Sequence, residues 1–404
     1  MIDSLKSIFR RLIAEQQVDT FRYLSAQFTL DSRLIGLIGA RGVGKTTLLL
    51  QTIKQQFPSL ENVFYFSADH IYFNTNSLYK FVEHLNEYEG INIFFIDEIH
   101  KYPNWDQEIK NIYDSFPAIK IIFSGSSSLN LVKGSYDLSR RAQLYRLQGL
   151  SFREYLYFKL GNNLNTINFA NLLIDPLSYN NLLSNIPMVK AHFNDYLHFG
   201  YYPFFMESNR EIYYEKILRV VEKTIYEDIA SFYKLKTQNL PLFKKILNYL
   251  STIEPGLYNH HNLAKNLAID DKTVVNYISI LEATGLIRSV YPYATGNRLL
   301  NKPEKIFINN TTLGSAINSA LGEDIPVGYL RELFFLQSLG NVGQQIFYSN
   351  IGDYQTKDCI FEIGGKNKTN KQVKHSNKKA YLVKDHILFA TRTEIPLYLF
   401  GFLY

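Results

Sequence analysis

Eight residues near the start of the chain, Gly39 to Thr46, follow the pattern G-x-x-x-x-G-K-[ST]. Glycines let backbone N–H groups converge on an anion because no Cβ stands in the way, and a helix that starts here adds its positive end. In this pattern the lysine reaches the β- and γ-phosphates of a nucleotide, and the threonine hydroxyl ligates Mg²⁺. The predicted nucleotide-binding residues are Gly39, Ala40, Arg41, Gly42, Val43, Gly44, Lys45, Thr46 and Thr47.

Such a loop functions only between a strand and a helix, so the flanking segments test the prediction. Residues 33–38 (RLIGLI) form an apolar run that predicts a buried strand entering the loop, and residues 46–55 (TTLLLQTIKQ) predict the helix that leaves it. This order favours a phosphate-binding loop, or P-loop, over an ordinary glycine-rich turn.

Two carboxylates follow a second predicted strand. Residues 91–96 (INIFFI) are apolar and of strand length, and they end in Asp97 and Glu98. Ligands bind at the carboxyl edge of parallel sheets, so we expect Asp97 to hold Mg²⁺ through water and Glu98 to act as the general base. The alternative is a solvated Asp-Glu turn.

A third predicted strand, residues 119–123, leads into a serine-rich segment. Ser126 is where a polar sensor of the γ-phosphate would lie. A plain serine-rich turn explains the same residues equally well.

Four stretches, residues 39–46, 94–105, 123–129 and 138–156, resemble the AAA-type ATPases of bacteria and archaea. More closely, they are similar to the branch related to signal-transducing NTPases that carries a winged helix. The resemblance implies ATP and Mg²⁺ as cofactors and makes Arg140 or Arg141 a candidate contact for the γ-phosphate. Hydrolysis in this class often uses an arginine from a neighbouring subunit, so a homo-oligomer is one candidate assembly.

Length and composition restrict the number of domains and the class of protein. The chain has 404 residues, 46% of them hydrophobic and 20% charged, which predicts two to four globular domains. The longest apolar stretches are of strand length and the first residues lack the pattern of a signal peptide, so we expect no membrane span and a cytoplasmic location. The single Cys359 excludes an internal disulfide and a Cys-based zinc site.

The charge balance is only weak support for nucleic-acid binding. The formal net charge is +6, and residues 366–379 hold six lysines and no acidic residue. A solvated basic face is the more common meaning of such a run.

Beyond the ATPase-like segment the pattern becomes helical. Residues 211–233 carry apolar positions at helical spacing, and the G-Y-Y-P segment at 200–203 is similar to a turn in the same ATPase family. We expect residues 151–236 to form a helical lid that closes on the nucleotide. A helical spacer would have the same sequence pattern.

Residues 237–297 predict a winged helix-turn-helix. Helices are expected at 242–250, 261–267 and 271–284, followed by a strand at 286–290. The third helix would expose Lys272, Thr273, Asn276 and Tyr277, which are side chains that can contact DNA. Asp270 and Asp271 would repel phosphate, and such domains also serve in protein packing.

The last hundred residues suggest a second site, at Glu332, Asp353, Glu362 and Lys366. A helix Glu, two carboxylates on neighbouring strands and a nearby Lys resemble the PD-(D/E)xK nuclease fold, which gathers Mg²⁺ for phosphodiester cleavage. Gln372 is a further candidate member. In that family the lysine follows the glutamate by two positions, but Gly364 stands there, so we expect a degenerate site.

The sequence therefore predicts an α/β protein with a P-loop NTPase core (1–150, a parallel sheet flanked by helices), a helical lid (151–236), a winged helix (237–297) and a nuclease-like α/β domain (298–404). The function predicted is an ATP-hydrolysing switch. An ATP-regulated, Mg²⁺-dependent nuclease and a non-enzymatic DNA-binding regulator are the alternatives, with DNA or another protein as partner.

Overall fold

The computed structural model describes residues 2–126, 138, 140–207, 209–233, 235–293, 303–374 and 376–404. The chain divides into two compact units, Met1–Gly149 and Leu150–Tyr404. In the described ranges, no helix combines the length and the apolar character that crossing a membrane requires.

The helices and strands of the first unit are α1 (Ile2–Glu15), β1 (Leu34–Gly39), α2 (Lys45–Gln56), β2 (Val63–Ser67), α3 (Leu78–Glu89), β3 (Ile93–Asp97), α4 (Trp105–Ser115), β4 (Lys120–Ser126) and β5 (Gln143–Arg146). Those of the second unit are α5 (Phe152–Leu160), α6 (Phe169–Ile174), α7 (Asn180–Ser184), α8 (Val189–Phe199), α9 (Arg210–Lys223), α10 (Ala230–Tyr233), α11 (Leu240–Thr252), α12 (His260–Leu267), α13 (Asp271–Ala283), β6 (Ile287–Val290), β7 (Lys305–Ile308), α14 (Thr311–Ala320), α15 (Val327–Asn341), β8 (Phe347–Tyr348), β9 (Tyr354–Gln355), β10 (Cys359–Gly364), β11 (Lys379–Lys384) and β12 (Glu394–Pro396).

The first unit is built on a parallel sheet whose described strands run in the order β2-β3-β4-β1-β5. Every residue of β1 is buried, because helices cover both faces of such a sheet and its strands are apolar throughout. Since β4 lies between β1 and β3, the residues that follow these three strands meet at one edge. The predicted α/β class and the parallel sheet flanked by helices are confirmed for this unit.

The three predicted strands and the helix after the loop are present, with bounds shifted by one to three residues. β4 extends to Ser126, past the predicted end at residue 123, because it continues to pair with β1 as far as Gly39. Apolarity alone could not reveal this extension, since Ser124 and Ser126 are polar yet buried.

The second unit contains a mixed sheet in the order β12-β11-β10-β9-β8. β10, β11 and β12 are parallel, whereas β8, β9 and β10 pair antiparallel. One aromatic core joins helices of the predicted lid to this region: Phe193 of α8 packs 4.8 Å from Phe334 of α15 and 4.6 Å from Tyr398, ring centre to ring centre. Helices α5, α6, α7, α8 and α15 thus share one hydrophobic interior with the C-terminal sheet.

α11, α12 and α13 match the three helices predicted between residues 242 and 284, and the antiparallel strand pair β6 and β7 follows them. One side-chain prediction here is wrong. Tyr277 is 3% exposed and its ring centre lies 4.5 Å from that of Phe243, so it belongs to the interior and not to an exposed face.

Candidate functional site

The loop between β1 and α2 has the backbone shape that an anion nest requires. Gly42 and Gly44 have φ values of 85° and 96°, in the left-handed region that glycine adopts without strain. Gly39 has a different reason to be glycine, because a Cβ there would lie 2.4 Å from the carbonyl oxygen of Leu147. The loop therefore depends on glycine both for its turns and for its contact with the segment after β5.

Val43 and Lys45 hold this loop in different ways. Val43 is completely buried, whereas the Lys45 ammonium donates hydrogen bonds to the carbonyl oxygens of Gly39 (3.0 Å) and Ala40 (3.1 Å). The charge of Lys45 therefore lies at the mouth of the loop. Arg41 and Thr47 lie on the same segment, and both are accessible to solvent.

Arg22 also holds the loop in place through hydrogen bonds to backbone carbonyl oxygens. The sequence did not predict this role. Its guanidinium is 6% exposed and donates to the carbonyl oxygens of Val43 and, at 2.7 Å, of Gln148. No local motif marks this arginine, because its partners are backbone atoms distant in sequence.

Thr46 and Asp97 are brought into direct contact. The Thr46 hydroxyl donates to Asp97 Oδ2 across 2.6 Å, although 51 residues separate the two in sequence. A hydroxyl and a carboxylate are hard oxygen donors of the kind that Mg²⁺ prefers, and they stand beside a nest for phosphate. The residues present thus fit Mg²⁺, with Thr46 and Asp97 as the residues that would hold it.

Two further side chains position the Asp97 carboxylate. Ser124 donates to Oδ1, and the Tyr65 hydroxyl donates to Oδ2 at 3.0 Å. Burial, and then the negative charge of Asp97, raises the pKa of Tyr65, so this phenol stays protonated and remains a donor. Sequence analysis missed both residues, although Ser124 lies in the serine-rich segment from which Ser126 was selected.

Glu98 lies next to this carboxylate in an unusual backbone conformation. Its φ is 50°, in the left-handed region, and its N–H donates to Asp97 Oδ1 and to Ser124 Oγ, both at 3.1 Å. The Glu98 side chain is partly accessible, and its Oε2 lies 3.2 Å from Nε2 of the buried His100. These contacts hold Glu98 directly after the last residue of β3.

Ser126 and Arg141 have different positions relative to the loop. Ser126 is buried and pairs with Gly39, so it lies level with the start of the loop. Arg141 precedes the first residue of β5, at the opposite edge of the sheet, where its guanidinium lies 3.5 Å from Asp114 Oδ1. Arg141 is level with the start of β1, whereas the loop follows the end of β1. The rise along a strand therefore puts Arg141 about 20 Å from the start of the loop. The structure therefore does not bring Arg141 to Lys45 and Glu98, which corrects the expectation of a γ-phosphate contact within this chain.

The second predicted cluster lies in the Leu150–Tyr404 unit, and its lysine differs from the one expected. Glu362 is completely buried, and the ammonium that pairs with its Oε1, at 2.6 Å, belongs to Lys368. Lys366 is exposed. Lys368 can reach Glu362 because the chain turns back after β10 and residue 364 is a glycine. The side-chain carbons of Lys368 pack where a Cβ of residue 364 would lie, 2.7 Å from Lys368 Cδ. With its amide oriented to donate, Gln372 lies 3.0 Å from Glu362 Oε2.

The remaining two carboxylates, Glu332 and Asp353, accept hydrogen bonds from different donors. Glu332 Oε2 accepts from Lys305 Nζ (2.8 Å) and from the Tyr354 hydroxyl (2.5 Å). Asp353 Oδ2 accepts from the N–H of Ile363 at 2.7 Å; burial, reinforced by the negative charges of Glu332 and Glu362, raises the pKa of Asp353 to about 6. Over the part of the chain that the structure describes, no three His, Cys, Asp or Glu side chains form a group that could hold a metal ion.

Comparison with known proteins identifies two matching family models. One is described as an AAA domain and matches residues 31–156, and the other is described as a domain of unknown function and matches residues 190–324. An uncharacterized protein of Methanocaldococcus jannaschii, MJ1637, is 30% identical over 388 residues, which cover 88% of this chain and 80% of the relative. The N-terminal unit is accordingly an AAA-type P-loop domain, as the four stretches of resemblance predict.

Similar solved structures include replication initiators. DnaA bound to AMPPCP and single-stranded DNA is 17% identical, with a TM-score of 0.30 over 68% of this chain and 86% of that chain. AMPPCP-bound DnaA from Aquifex aeolicus is 15% identical, with a TM-score of 0.28 over 69% and 88% of the two chains.

Proposed function

We propose an ATP-hydrolysing function for this chain, which belongs to the family of the Methanocaldococcus jannaschii protein MJ1637 and carries an AAA domain. The observation that carries the proposal is the 2.6 Å contact between Thr46 and Asp97 beside the glycine nest. Two motifs that are distant in sequence meet there in the arrangement that phosphate and a divalent cation require together.

The residues of the loop have distinct roles in binding. The N–H groups around Gly42 and Gly44 and the first turn of α2 bind phosphate oxygens, and Lys45 exchanges its carbonyl contacts for the β- and γ-phosphates. Thr46 and Asp97 would hold Mg²⁺, which would neutralise part of the phosphate charge. Ser124 and Tyr65 keep the Asp97 carboxylate oriented toward the threonine.

Glu98 is the proposed general base. Its left-handed backbone stores strain, which folded proteins retain mainly where function requires a particular direction of the side chain. His100 lies against the carboxylate and limits its rotation. Glu98 then accepts a proton from the attacking water, while Ser126 contacts the γ-phosphate from the neighbouring strand.

Calorimetric titration with Mg-ATP tests binding. We expect the wild-type chain to bind and Lys45→Ala to lose at least about tenfold in affinity, because one charge-assisted phosphate contact disappears. Lys80→Ala is the matched control, since Lys80 is an exposed lysine on α3. Equal affinity in Lys45→Ala and Lys80→Ala would contradict the proposed pocket.

For the second unit we propose a helical lid at 151–236, a winged helix at 237–297 and a nuclease-like domain at 298–404. The shared aromatic core of α8 and α15 supports a lid that changes position together with the C-terminal region, as a nucleotide-driven switch needs. DNA or another protein stays the predicted partner, and a homo-oligomer the predicted assembly.

The nuclease and DNA-regulator alternatives have less support. We propose nuclease ancestry for the C-terminal domain, with Lys368 in place of the lysine missing at Gly364. Glu362 is paired with Lys368 and Glu332 with Lys305, so no cleavage step is assigned to these carboxylates. DNA contact by α13 is weakened by the burial of Tyr277 and by Asp270, which caps the helix at Thr273.

A further inference from the structure

We infer that the C-terminal region holds a second phosphate-binding site, independent of the P-loop, in a cavity of about 500 Å³ beside β11. The ligand class is a nucleoside phosphate, either a free nucleotide or one unit of a single-stranded nucleic acid. The inference uses neither the ATPase site nor its proposed function.

The cavity lies on one face of the mixed sheet. Ala380 and Leu382 alternate along β11 and line its floor, and Val373 packs against them. The residues around it are Lys368, Thr369, Asn370, Lys374, Ser376, Lys378, Lys384, Thr393 and Glu394. The opposite face of β11 carries Tyr381 and Val383, which belong to the large aromatic core. The floor is thus apolar and the rim is basic and polar.

The charges of the rim do not cancel. Lys368 pairs with Glu362 and Lys384 pairs with Glu394, each at 2.6 Å. Lys378 instead donates to the neutral side-chain oxygen of Gln355 at 3.0 Å and to the carbonyl oxygen of Thr356 at 3.4 Å, and its ammonium lies 5.0 Å from the centre of the Tyr293 ring. Lys374 is exposed. Among the described residues, neither of these two lysines forms an ion pair with a carboxylate. The positive charges of Lys374 and Lys378 are therefore not neutralised by a carboxylate, and both favour an anion at the cavity.

The polar residues of the rim extend the same chemistry. Thr369, Asn370, Ser376 and Thr393 provide hydroxyl and amide groups that donate to phosphate oxygens or pair with the edge of a base. A planar base can lie on the Ala380 and Leu382 floor while its phosphate lies against Lys374 and Lys378. The volume is within the range of small-molecule sites.

The test is performed on the full chain carrying Lys45→Ala, so that binding of the probes at the P-loop is weakened and the cavity variants report on the second site. ADP and a short oligothymidylate, both without Mg²⁺, are titrated by calorimetry and fluorescence anisotropy. The variants are Lys374→Glu alone and Lys374→Glu with Lys378→Glu. Lys371→Glu, the same charge change at an exposed position outside the cavity, is the control.

We expect the single variant to weaken binding and the double variant to weaken it by at least about tenfold, with Lys371→Glu within about twofold of its parent. Binding of ADP identifies a free nucleotide as an accepted ligand, whereas binding of the oligonucleotide alone identifies a strand. Either result supports the site if the cavity variants remove it. Failure of both probes, or an equal loss in Lys371→Glu, overturns the inference. The single variant at exposed Lys374 keeps the test valid if the double variant folds poorly.

Discussion

Asp97 shows how the site is assembled from individual hydrogen bonds. Its buried carboxylate accepts from the side chains of Thr46, Tyr65 and Ser124 and from the N–H of Glu98. A carboxylate with this many donors is fixed in direction, which a residue that holds a cation must be. The sequence indicates Asp97 and Thr46 through their motifs, but nothing in it connects Tyr65 with them.

We expect Tyr65→Phe to lower the free energy of unfolding by about 1.5–3 kcal/mol, because it removes a hydrogen bond to a buried charged group. Tyr88→Phe, at a tyrosine that is 75% exposed, is the control and should change stability by less than about 0.5 kcal/mol. Urea denaturation monitored by circular dichroism measures both. Equal stability in the two variants would mean that the Tyr65–Asp97 bond contributes nothing.

At the scale of elements, apolar runs predicted β1, β3 and β4 because strands buried on both faces are apolar throughout. The phosphate loop could be predicted because its chemistry requires glycines at fixed spacing. Other contacts depended on tertiary structure. Lys368 reaches Glu362 only because the chain turns back at Gly364. Arg141 lies beside Asp114 because β5 begins only two residues later, at Gln143.

Gly39→Ala tests the contact between β1 and the segment after β5. The new Cβ would lie 2.4 Å from the Leu147 carbonyl oxygen, so backbone atoms must move, and we expect a loss of about 1–3 kcal/mol in unfolding free energy. Gly328→Ala is the control, since a Cβ at that helical position meets nothing within 4 Å. A Gly39→Ala chain as stable as Gly328→Ala would show that this packing is not tight.

Asp353 predicts a pH dependence. Its folded pKa of about 6 exceeds the ordinary value of 3.8, so between these values the folded state binds more protons than the unfolded state. Stability should therefore fall as pH rises from about 4 to about 6 and level off above that. Asp353→Asn should remove this fall and add on the order of 2 kcal/mol at neutral pH.

Thermal denaturation across this pH range measures the effect of Asp353→Asn. Asp358→Asn, at an exposed position nearby, is the control and should retain the wild-type pH profile. If Asp353→Asn also retained that profile, the raised pKa would be contradicted.

At the scale of the whole molecule, a P-loop unit and a unit with a large aromatic core are joined in one chain. A ligand that binds only the folded protein stabilises it by mass action. Mg-ATP at about 100 times its dissociation constant should therefore add about 2.7 kcal/mol to the stability of the wild-type chain.

Thermal denaturation with and without nucleotide measures this increase in stability. With EDTA in place of Mg²⁺, ATP should increase stability less, because Thr46 and Asp97 then lack the cation that they would hold. Lys45→Ala, whose affinity should be at least about tenfold lower, should gain no more than about 1.4 kcal/mol from the same concentration of Mg-ATP. An undiminished gain in Lys45→Ala would place nucleotide binding outside the P-loop.

Glu98 is the proposed general base for ATP bound at the P-loop, and the rate of phosphate release from Mg-ATP by Glu98→Gln shows whether it has that role. We predict that this variant binds Mg-ATP with wild-type affinity and releases phosphate about 10²- to 10⁴-fold more slowly than the wild-type chain. Phosphate release at the wild-type rate in Glu98→Gln would contradict the claim.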